Sequence, residues 1–519
     1  MGNQKQYRVW LIAAALGIGV VSGCGTGEVS QTKEAQSMTT EYQTDNEASI
    51  EDLATGHLTE EVSCHDPQII VGEDGRYYMF GSHIVAAESD NLWGWSYFAN
   101  GNNLFDNLYD GDLPAFSFVG KNTDGGYSVW ASNVCYNETM GKYVMYFCTT
   151  SSYIKSNLCM AVADDVKGPY TYVDTILYSG YGKSDADQTN LYEVLGEDAD
   201  ISRYLEYGGY NNKEWPNCID PAVFTDADGR MWMVYGSWSG GIFILELDKE
   251  TGYPIHPEAD EENGVDAYYG KHLIGGGHHS VEGPYIEYNE ENGYYYLFVS
   301  YGDLQADGGY QIRQYRSENP DGPYVDAAGN TLGDEDDHYN YGLKMMGNYT
   351  FPSLDCTYMA PGGQSTFTGT DGGHYVVYHQ RFGDGTEYHE PRVHQMFLNA
   401  DGWYVAAPFA TMGETLSAEG YQQTDVTGTF YLVDHGTDIS SKVHEAEAYT
   451  FSDGTITGAD VTGTYSVTEG TDDITITLDG KTYQGVLIEM EDEAGNPVLC
   501  FSAAGTSNES IWGVKYLKE

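Results

Sequence analysis

Residues 65–78 read His-Asp-Pro-Gln-Ile-Ile-Val-Gly-Glu-Asp-Gly-Arg-Tyr-Tyr, and the order of residue types in this stretch decides the fold. An acidic residue before proline precedes a short apolar run, and Asp74-Gly75 separates that run from a second, aromatic one. β-Branched and aromatic residues favour strands, and an Asp-Gly pair between two such runs is typical of a hairpin turn. The stretch therefore predicts two antiparallel strands, with Asp66 just before the first.

The same arrangement recurs along the chain. Residues 219–232 and 281–296 repeat it, with Asp220 and Glu282 ahead of the first run. Recurring hairpins predict antiparallel units arranged around an axis. Residues 140–146 and 372–378 have the same hairpin pattern, which raises the number of units to five. Five units predict an all-β fold, a five-bladed β-propeller over residues 61–412, in which each innermost strand begins at the mouth of a central pocket. The predicted hairpin glycines are Gly75, Gly141, Gly229, Gly293 and Gly373.

Three acidic residues are candidates for a shared site. We place Asp66, Asp220 and Glu282 at equivalent positions of their blades, so a radial arrangement would bring them to one pocket although they are distant in sequence. Carboxyl groups on either side of a sugar are what hydrolysis of a glycosidic bond requires. An aspartate before proline also caps turns, which is the simpler interpretation of each residue alone. Repetition at one position, where the other two blades carry uncharged residues, favours a catalytic pocket.

These segments resemble a known family. His65-Asp66-Pro67, Ile219-Asp220-Pro221 and residues 280–286 are similar to the three catalytic segments of glycoside hydrolase family 43. The resemblance covers residues 61–412, and the family's five-bladed propeller agrees with the count of hairpin glycines. Residues 341–349 and 390–397 resemble the endo-α-1,5-L-arabinanase branch of the family, in which a C-terminal β domain is appended.

The resemblance implies a role for each acidic residue. Asp66 would be the general base, Glu282 the general acid, and Asp220 the residue that orients the acid and tunes its pKa. Family members invert the anomeric configuration, which requires acid and base to stand about 6.5–9.5 Å apart with room for a water molecule. We also expect Asn133, where the family often has aspartate, to contact substrate. Trp130 is a candidate for stacking on a sugar ring, with a position in the propeller core as the open alternative.

A cation is a further expectation. Arabinanases of this branch usually have a histidine that supports a cation, commonly calcium, at the centre of the propeller, and this chain has Gly363 at that position. His379 or His279 could take its place, although lone histidines more often pack or lie on the surface. The resemblance thus implies one calcium ion, for which the sequence assigns no ligand.

The charge of the chain restricts its partners. With 79 acidic and 23 basic residues, the formal net charge is −56. This balance argues against nucleic acid, anionic membrane surfaces and polyanionic substrates, because like charges repel. A neutral glycan such as plant cell-wall arabinan is compatible with it, and acidity by itself also serves solubility. We expect the protein to be a monomer.

The N-terminus has the features of an export signal. Basic residues precede a short apolar run, Val9–Val21, and residues 21–24 resemble the bacterial lipobox, which implies cleavage before Cys24 and acylation of that residue. We therefore predict a lipoprotein signal peptide over residues 1–24, a flexible polar linker over residues 25–60, and lipid anchoring at the bacterial cell surface. An ordinary secreted protein is the alternative.

The last part of the chain predicts a second domain. Residues 424–519 contain short alternating runs such as Gly463–Val467 and Ile474–Leu478. Alternation predicts strands, and Asp479-Gly480 between two of them predicts a hairpin turn. We expect a small all-β barrel or sandwich, in which Trp512 is the one obvious candidate for contact with a glycan.

Three functions are compatible with these features. The first is endo-acting hydrolysis of α-1,5-linked arabinan. The second is another activity of the same family, an exo-acting arabinofuranosidase or a β-xylosidase, because the three acidic residues would serve either. The third is a non-catalytic glycan-binding lipoprotein. Gly363 and Asn133 favour the third function, whereas the intact acidic trio argues against it.

Overall fold

The computed structural model describes residues 46–333 and 337–518. Within them, five main antiparallel sheets follow one another along the chain, and a closed barrel comes last. This confirms the predicted all-β class and the five-bladed propeller, and it shows that the C-terminal domain is a barrel. The predicted signal peptide with Cys24 and the first part of the linker, residues 25–45, lie outside the described residues.

Each blade is a contiguous part of the chain with four main strands, ordered from the innermost outward. The strands are Gln68–Val71, Tyr77–Gly81, Val85–Ser89 and Ser96–Asn100 in blade 1; Ser128–Asn137, Lys142–Ser152, Lys155–Ala163 and Thr171–Ser179 in blade 2; Ala222–Thr225, Met231–Tyr235, Ile242–Leu247 and Gly270–Ile274 in blade 3; Val281–Asn289, Tyr294–Tyr301, Gln311–Ser317 and Leu343–Met346 in blade 4; and Tyr358–Thr368, His374–Phe382, His389–Leu398 and Tyr404–Ala406 in blade 5.

The turn between the first two strands of each blade lies where the repeated glycines predict it. Gly75, Gly141, Gly229 and Gly293 have φ values between 63° and 78°, a conformation that strains residues with a side chain. In blade 5 the residue in this conformation is Gly372, with φ 81°, and not Gly373. The predicted hairpin is therefore confirmed in every blade, with the left-handed residue one position earlier in the fifth.

The innermost strands contact one another in cyclic order around the axis. Side chains reinforce the junctions: Gln68 bonds the backbone of the blade 2 strand, and Asn133 of that strand accepts from a backbone amide of blade 3. The Ser365 hydroxyl donates to the carbonyl of Pro67 at 3.0 Å, which joins blade 5 to blade 1. The ring therefore closes without exchanging a strand between its first and last blades.

Helical structure is sparse in the described residues. The α-helix Leu191–Leu195 lies in the long connection between blades 2 and 3, and the other helical segments are short 3₁₀ turns. No helix in the described part of the chain has the length and apolar character needed to cross a membrane. The 3₁₀ turns are Ile50–Asp52, Ser82–Ile84, Gly101–Leu104, Pro114–Phe116, Ala186–Gln188, Ser202–Tyr204, Glu261–Asn263 and His338–Asn340.

The C-terminal domain is an eight-stranded barrel in which the first strand pairs with the last. Phe430, Phe451 and Phe501 pack against one another in its hydrophobic core. Alternate residues of each strand point inward, so side chains fill the interior of a barrel of this size. The strands are Gly428–Asp434, Glu447–Ser452, Thr455–Thr457, Thr462–Val467, Asp473–Leu478, Lys481–Glu491, Pro497–Gly505 and Ser510–Tyr516.

The barrel packs on blades 4 and 5 through an apolar face. Trp512, a strand residue of the barrel, is 1% exposed, and its ring centroid lies 5.1 Å from that of Tyr349 and 4.4 Å from that of His435. Large aromatic side chains contribute strongly to such interfaces. Trp512 is therefore a packing residue between the domains, and it cannot reach a glycan from solvent.

The predicted flexible linker is wrong for residues 46–60. The amide of Ala48 donates to the carbonyl of Tyr516 at 3.0 Å, which fixes this segment to the last strand of the barrel. Glu60 is 3% exposed and accepts hydrogen bonds from two backbone amides of blade 1. A polar segment stays disordered when its backbone and side-chain groups find no partners. Here the barrel and blade 1 supply hydrogen-bond partners, so the segment is ordered.

Candidate active site

Five tripeptides, one from each blade, surround the axis of the propeller and line a cavity of about 40 Å³. The first residue of each has a positive φ between 44° and 59°; it precedes the innermost strand in blades 1 and 3 and lies within that strand in the other three. Residues other than glycine rarely adopt this conformation, and clusters of them often mark functional sites. The tripeptides are Asp66-Pro67-Gln68, Ala131-Ser132-Asn133, Asp220-Pro221-Ala222, Gly283-Pro284-Tyr285 and Gly363-Gln364-Ser365.

Glu282 does not occupy the position of the two aspartates. Asp66 and Asp220 are the first residues of their tripeptides, whereas Glu282 immediately precedes Gly283, the first residue of the fourth. The prediction of one shared repeat position is therefore right for the aspartates and wrong for the glutamate. In blade 4 the tripeptide position with positive φ, 57°, is occupied by Gly283, so the carboxyl group comes from the residue before it. The break in strand pairing at this point also occurs in blades 2 and 5 and does not distinguish blade 4.

The three acidic residues nevertheless converge. Asp220 Oδ2 accepts a hydrogen bond of 3.1 Å from the amide of Gly283, which places it beside Glu282. Asp66 approaches from blade 1, and its Oδ1 atom lies 2.4 Å from the position that a Cβ atom on Gly363 would take. The charges of Asp66 and Glu282 both act on the pKa of Asp220. Residues from three blades thus form one carboxyl cluster at the axis.

Asp66 is held as the ionised partner of a histidine. Its Oδ2 atom accepts a hydrogen bond of 2.6 Å from the Ser82 hydroxyl and lies 2.8 Å from Nδ1 of His65. Burial favours the neutral acid, but the charge and hydrogen bond of His65, together with the bond from Ser82, outweigh burial and lower the pKa of Asp66. The group is therefore ionised at neutral pH, as a general base must be.

Glu282 is in the opposite situation. The Ser237 hydroxyl donates to its Oε2 atom and the Tyr310 hydroxyl to its Oε1 atom, both at 2.8 Å. These two bonds favour the charged form, but burial outweighs them and raises the pKa of Glu282, with a further contribution from the negative charge of Asp66. A raised pKa keeps a carboxylic acid protonated closer to neutral pH, which suits a proton donor.

Asp220 shares this tendency. Burial raises the pKa of Asp220 well above its ordinary value, and the charges of Glu282 and Asp66 raise it further, against the hydrogen bond from the amide of Gly283. Neighbouring carboxyl groups in one buried site resist ionising together. Asp220 and Glu282 therefore favour a state that retains a proton, and the influence of Asp220 on the pKa of the acid stays a prediction.

Three residues that hold these carboxyl groups escaped the sequence analysis. Ser82 and Ser237 each follow a glycine at the end of the second strand of their blade, in the repeated pairs Gly81-Ser82 and Gly236-Ser237. That repetition is a sequence signal that could have identified both. Tyr310 directly precedes the third strand of blade 4, and no repeat distinguishes it, because its contact with Glu282 arises only in the folded chain.

The two predicted substrate contacts differ in their surroundings. Trp130 is 37% exposed and directly precedes the blade 2 tripeptide, so its stacking role stays a prediction. Asn133 is 3% exposed, and its Oδ1 atom accepts a hydrogen bond of 3.1 Å from the amide of Val223. Asn133 therefore stabilises the junction of blades 2 and 3, and its carbonyl oxygen is already engaged there.

His379 is the histidine that the structure places beside the base. Its ring is fully buried and stacks on His65 with centroids 3.9 Å apart, and its Nδ1 atom lies 4.0 Å from Asp66 Oδ1. His279 instead stacks on His338. His65, Asp66 and His379 could together hold a metal ion. Two imidazoles and one carboxylate suit a transition metal better than calcium, which prefers oxygen ligands. This donor set does not fit the expected calcium ion, so we derive no step of the reaction through a metal.

An aromatic cluster borders the acid. Tyr153 is 62% exposed, its hydroxyl lies 3.3 Å from Nε2 of His278, and its ring centroid lies 6.4 Å from that of Trp238. Trp238 directly follows Ser237, the residue that holds Glu282. Trp238 and His278 have φ values of 48° and 68°, and backbone strain of this kind often marks functional sites. The cluster offers an aromatic surface on which a sugar could stack.

Fold and site together define a class of protein. A propeller that brings together a carboxyl group with a lowered pKa and a second with a raised pKa has the machinery of a glycoside hydrolase. The family model for glycosyl hydrolases family 43 matches residues 176–404, and that for a C-terminal lipocalin-like domain matches residues 408–513. The chain is 39% identical to extracellular endo-alpha-(1->5)-L-arabinanase 2 of Bacillus subtilis over 479 residues, 88% of this chain and 94% of that protein. This chain belongs to glycosyl hydrolases family 43.

Further relatives cover both domains. An extracellular endo-alpha-(1->5)-L-arabinanase of Thermotoga petrophila is 36% identical over 473 residues, 87% of this chain and 93% of that protein. The crystal structure of an endo-1,5-alpha-L-arabinanase from the same organism has a TM-score of 0.76 at 34% identity, covering 89% of this chain and 100% of that one. A family 43 glycoside hydrolase from Bacillus licheniformis has a TM-score of 0.76 at 38% identity, covering 89% and 99%. The predicted family is thereby confirmed.

Proposed function

We propose that this chain is an inverting endo-arabinanase that cleaves α-1,5-L-arabinofuranosidic bonds within arabinan. The observation that carries the proposal is the contrast between Asp66, which His65 and Ser82 keep ionised, and Glu282, whose protonated form is favoured by burial. Two relatives named as endo-arabinanases, which match most of the chain, support the choice of substrate. The net charge of −56 agrees with a neutral glycan.

The reaction requires two proton transfers on opposite sides of the sugar. Glu282 donates its proton to the glycosidic oxygen as the bond between that oxygen and the anomeric carbon breaks. Asp66 removes a proton from the water molecule that attacks the same carbon from the opposite face. The new bond therefore forms on the other side of the ring, and the configuration inverts. Exchange with solvent then returns a proton to Glu282 and removes one from Asp66. The neighbouring carboxyl group of Asp220 favours the return of the proton to Glu282.

Product analysis with linear arabinan and xylan side by side tests the proposal. We expect a mixture of short arabino-oligosaccharides early in the reaction with arabinan, and no product from xylan. Arabinose as the sole product would contradict endo action, and release of xylose would indicate a β-xylosidase. Binding of arabinan without any product would identify a non-catalytic glycan-binding protein.

We also propose that the protein is exported and held at the bacterial surface by a lipid on Cys24. Two relatives described as extracellular support export, and the lipobox-like residues 21–24 support the anchor. Cells grown with labelled palmitate are expected to label the wild-type protein and not Cys24→Ser. An unlabelled wild-type protein recovered from the culture medium would contradict the anchor.

Because Gly363 has no side chain, Asp66 and His379 can pack directly against its backbone. A Cβ atom at this residue would lie 2.4 Å from Asp66 Oδ1 and 2.8 Å from His379 Nδ1, and its φ is +59°. We expect Gly363→Ala to displace the base and to lower kcat on linear arabinan by about 10²-fold, since small misplacements of catalytic groups are costly. Gly372→Ala is the matched control, because φ is +81° there and nothing lies within 4 Å. Equal kcat values for the two variants would contradict the expectation.

A further inference from the structure

A loop of the C-terminal barrel, residues 435–443 (the barrel loop), reaches into blade 4 and satisfies two buried cations. Arg313 is fully buried, and its guanidinium donates to the carbonyl of Thr437 at 2.5 Å. Lys344 is 2% exposed, and its ammonium donates to the carbonyl of Asp438 at 2.9 Å. Buried cations are costly unless hydrogen bonds satisfy them, so these carbonyls fix the barrel loop against the blade.

Gln311 connects the barrel loop to the chain around Tyr310. Its Nε2 atom donates to the carbonyl of Asp438 at 2.9 Å and to the carbonyl of Gly309 at 3.0 Å. Arg313 fixes the other end of the amide, because its Nε atom donates to Gln311 Oε1 at 3.1 Å. Both sequence neighbours of Tyr310 are therefore tied to the barrel loop.

The backbone around Tyr310 has little freedom to shift. A Cβ atom on Gly309 would lie 2.7 Å from the backbone nitrogen of Ser440, so this residue passes directly against the barrel loop. Tyr310 itself is 2% exposed, and its ring stacks on His379 with centroids 5.6 Å apart. Its hydroxyl donates to Glu282 Oε1 at 2.8 Å. The contacts from the barrel to the acid thus form one continuous series.

We propose that the C-terminal barrel positions the general acid: the barrel loop holds Gln311, Gln311 fixes Tyr310, and Tyr310 orients Glu282 for proton donation. This role rests on the proposed function. It makes Tyr310 and Gln311 positioning residues, and it gives the barrel a part in the reaction beyond stabilising the propeller.

Gln311→Leu tests the proposal, because leucine has a similar size but cannot bridge the barrel loop and Gly309. We expect kcat on linear arabinan to fall about tenfold with little change in KM, the size of one lost hydrogen bond, here the bond from Tyr310 to Glu282. The bond from Tyr310 lowers the pKa of Glu282, so its loss raises that pKa and moves the basic limb of the pH–rate profile to higher pH. Tyr310→Phe is expected to show both effects, and the double variant no further loss.

Ser502→Ala is the matched control, because it removes another hydrogen bond between the domains, from the Ser502 hydroxyl to the carbonyl of Ala406. It is expected to lower the melting temperature and to leave kcat and the pH profile unchanged. A Gln311→Leu enzyme that behaves like this control would overturn the proposal, as would additive losses in the double variant. If leucine prevents folding, Gln311→Asn provides the same test with an amide that is too short to bridge.

Crystal structures of the wild type and of Gln311→Leu provide a readout that does not depend on activity. We expect the distance between the Tyr310 hydroxyl and Glu282 Oε1 to exceed 3.5 Å in the variant, beyond hydrogen-bonding range. An unchanged distance would overturn the proposal even if the activity fell. A wild-type protein that hydrolyses no arabinan would contradict the proposed function and would leave this structural comparison to decide the role of the barrel.

Discussion

Glu282→Gln is expected to reduce kcat on linear arabinan by about 10³-fold, within the range that general acid catalysis contributes. Glutamine has nearly the same shape, and it retains polar atoms for Ser237 and Tyr310, but it has no proton to donate to the leaving oxygen. The affinity for arabino-oligosaccharides, measured by calorimetry, should therefore stay close to that of the wild type.

The leaving group separates loss of the acid from general damage. An aryl arabino-oligosaccharide releases a phenolate that needs little protonation, so Glu282→Gln should lose much less activity on it than on arabinan. Glu287→Gln, on the same strand, is the matched control and should keep its activity on both substrates. Equal losses of the Glu282 variant on both substrates would contradict the role of proton donor.

Asp66→Asn is expected to reduce kcat by about 10³-fold on arabinan and on the aryl substrate alike, because water must be deprotonated in both reactions. The Ser82 hydroxyl and the His65 ring can still bond the asparagine oxygen, so folding should be little affected. Steady-state kinetics on the two substrates measure the effect. Asp74→Asn, at the exposed hairpin of the same blade, is the control and should keep wild-type activity. Retained activity of the Asp66 variant on the aryl substrate would contradict the role of base.

The blades could be predicted because a hairpin turn leaves a local mark in sequence. Gly75 and Gly229 stand where the left-handed conformation excludes most other residues. Closure of the barrel left no such mark, since it depends on pairing between Tyr431 and Val514, which are distant in sequence. The same holds for residues 46–60, whose polar composition indicates flexibility but whose partners lie in other parts of the fold.

The site was predictable to the extent that it repeats. Asp66 and Asp220 share one position in their blades, and their tripeptides both continue with proline. The one-residue offset of Glu282 also has a sequence signal, because Pro284 follows Gly283 as Pro67 follows Asp66, which leaves Glu282 one position earlier. Tyr310 precedes the third strand of blade 4 and contacts Glu282 of the first strand, with the second strand between them, so its role became visible only in the folded blade.

The anomeric configuration of the first product tests the central claim most directly. Asp66 and Glu282 come from blades 1 and 4 to one carboxyl cluster, and we assign them to opposite faces of one sugar with water between base and ring. Proton NMR spectra early in the hydrolysis of α-linked arabinan are expected to show the β-anomer before mutarotation. An initial α-anomer would mean retention through a covalent intermediate, which needs carboxyl groups about 5–5.5 Å apart, and it would contradict the account.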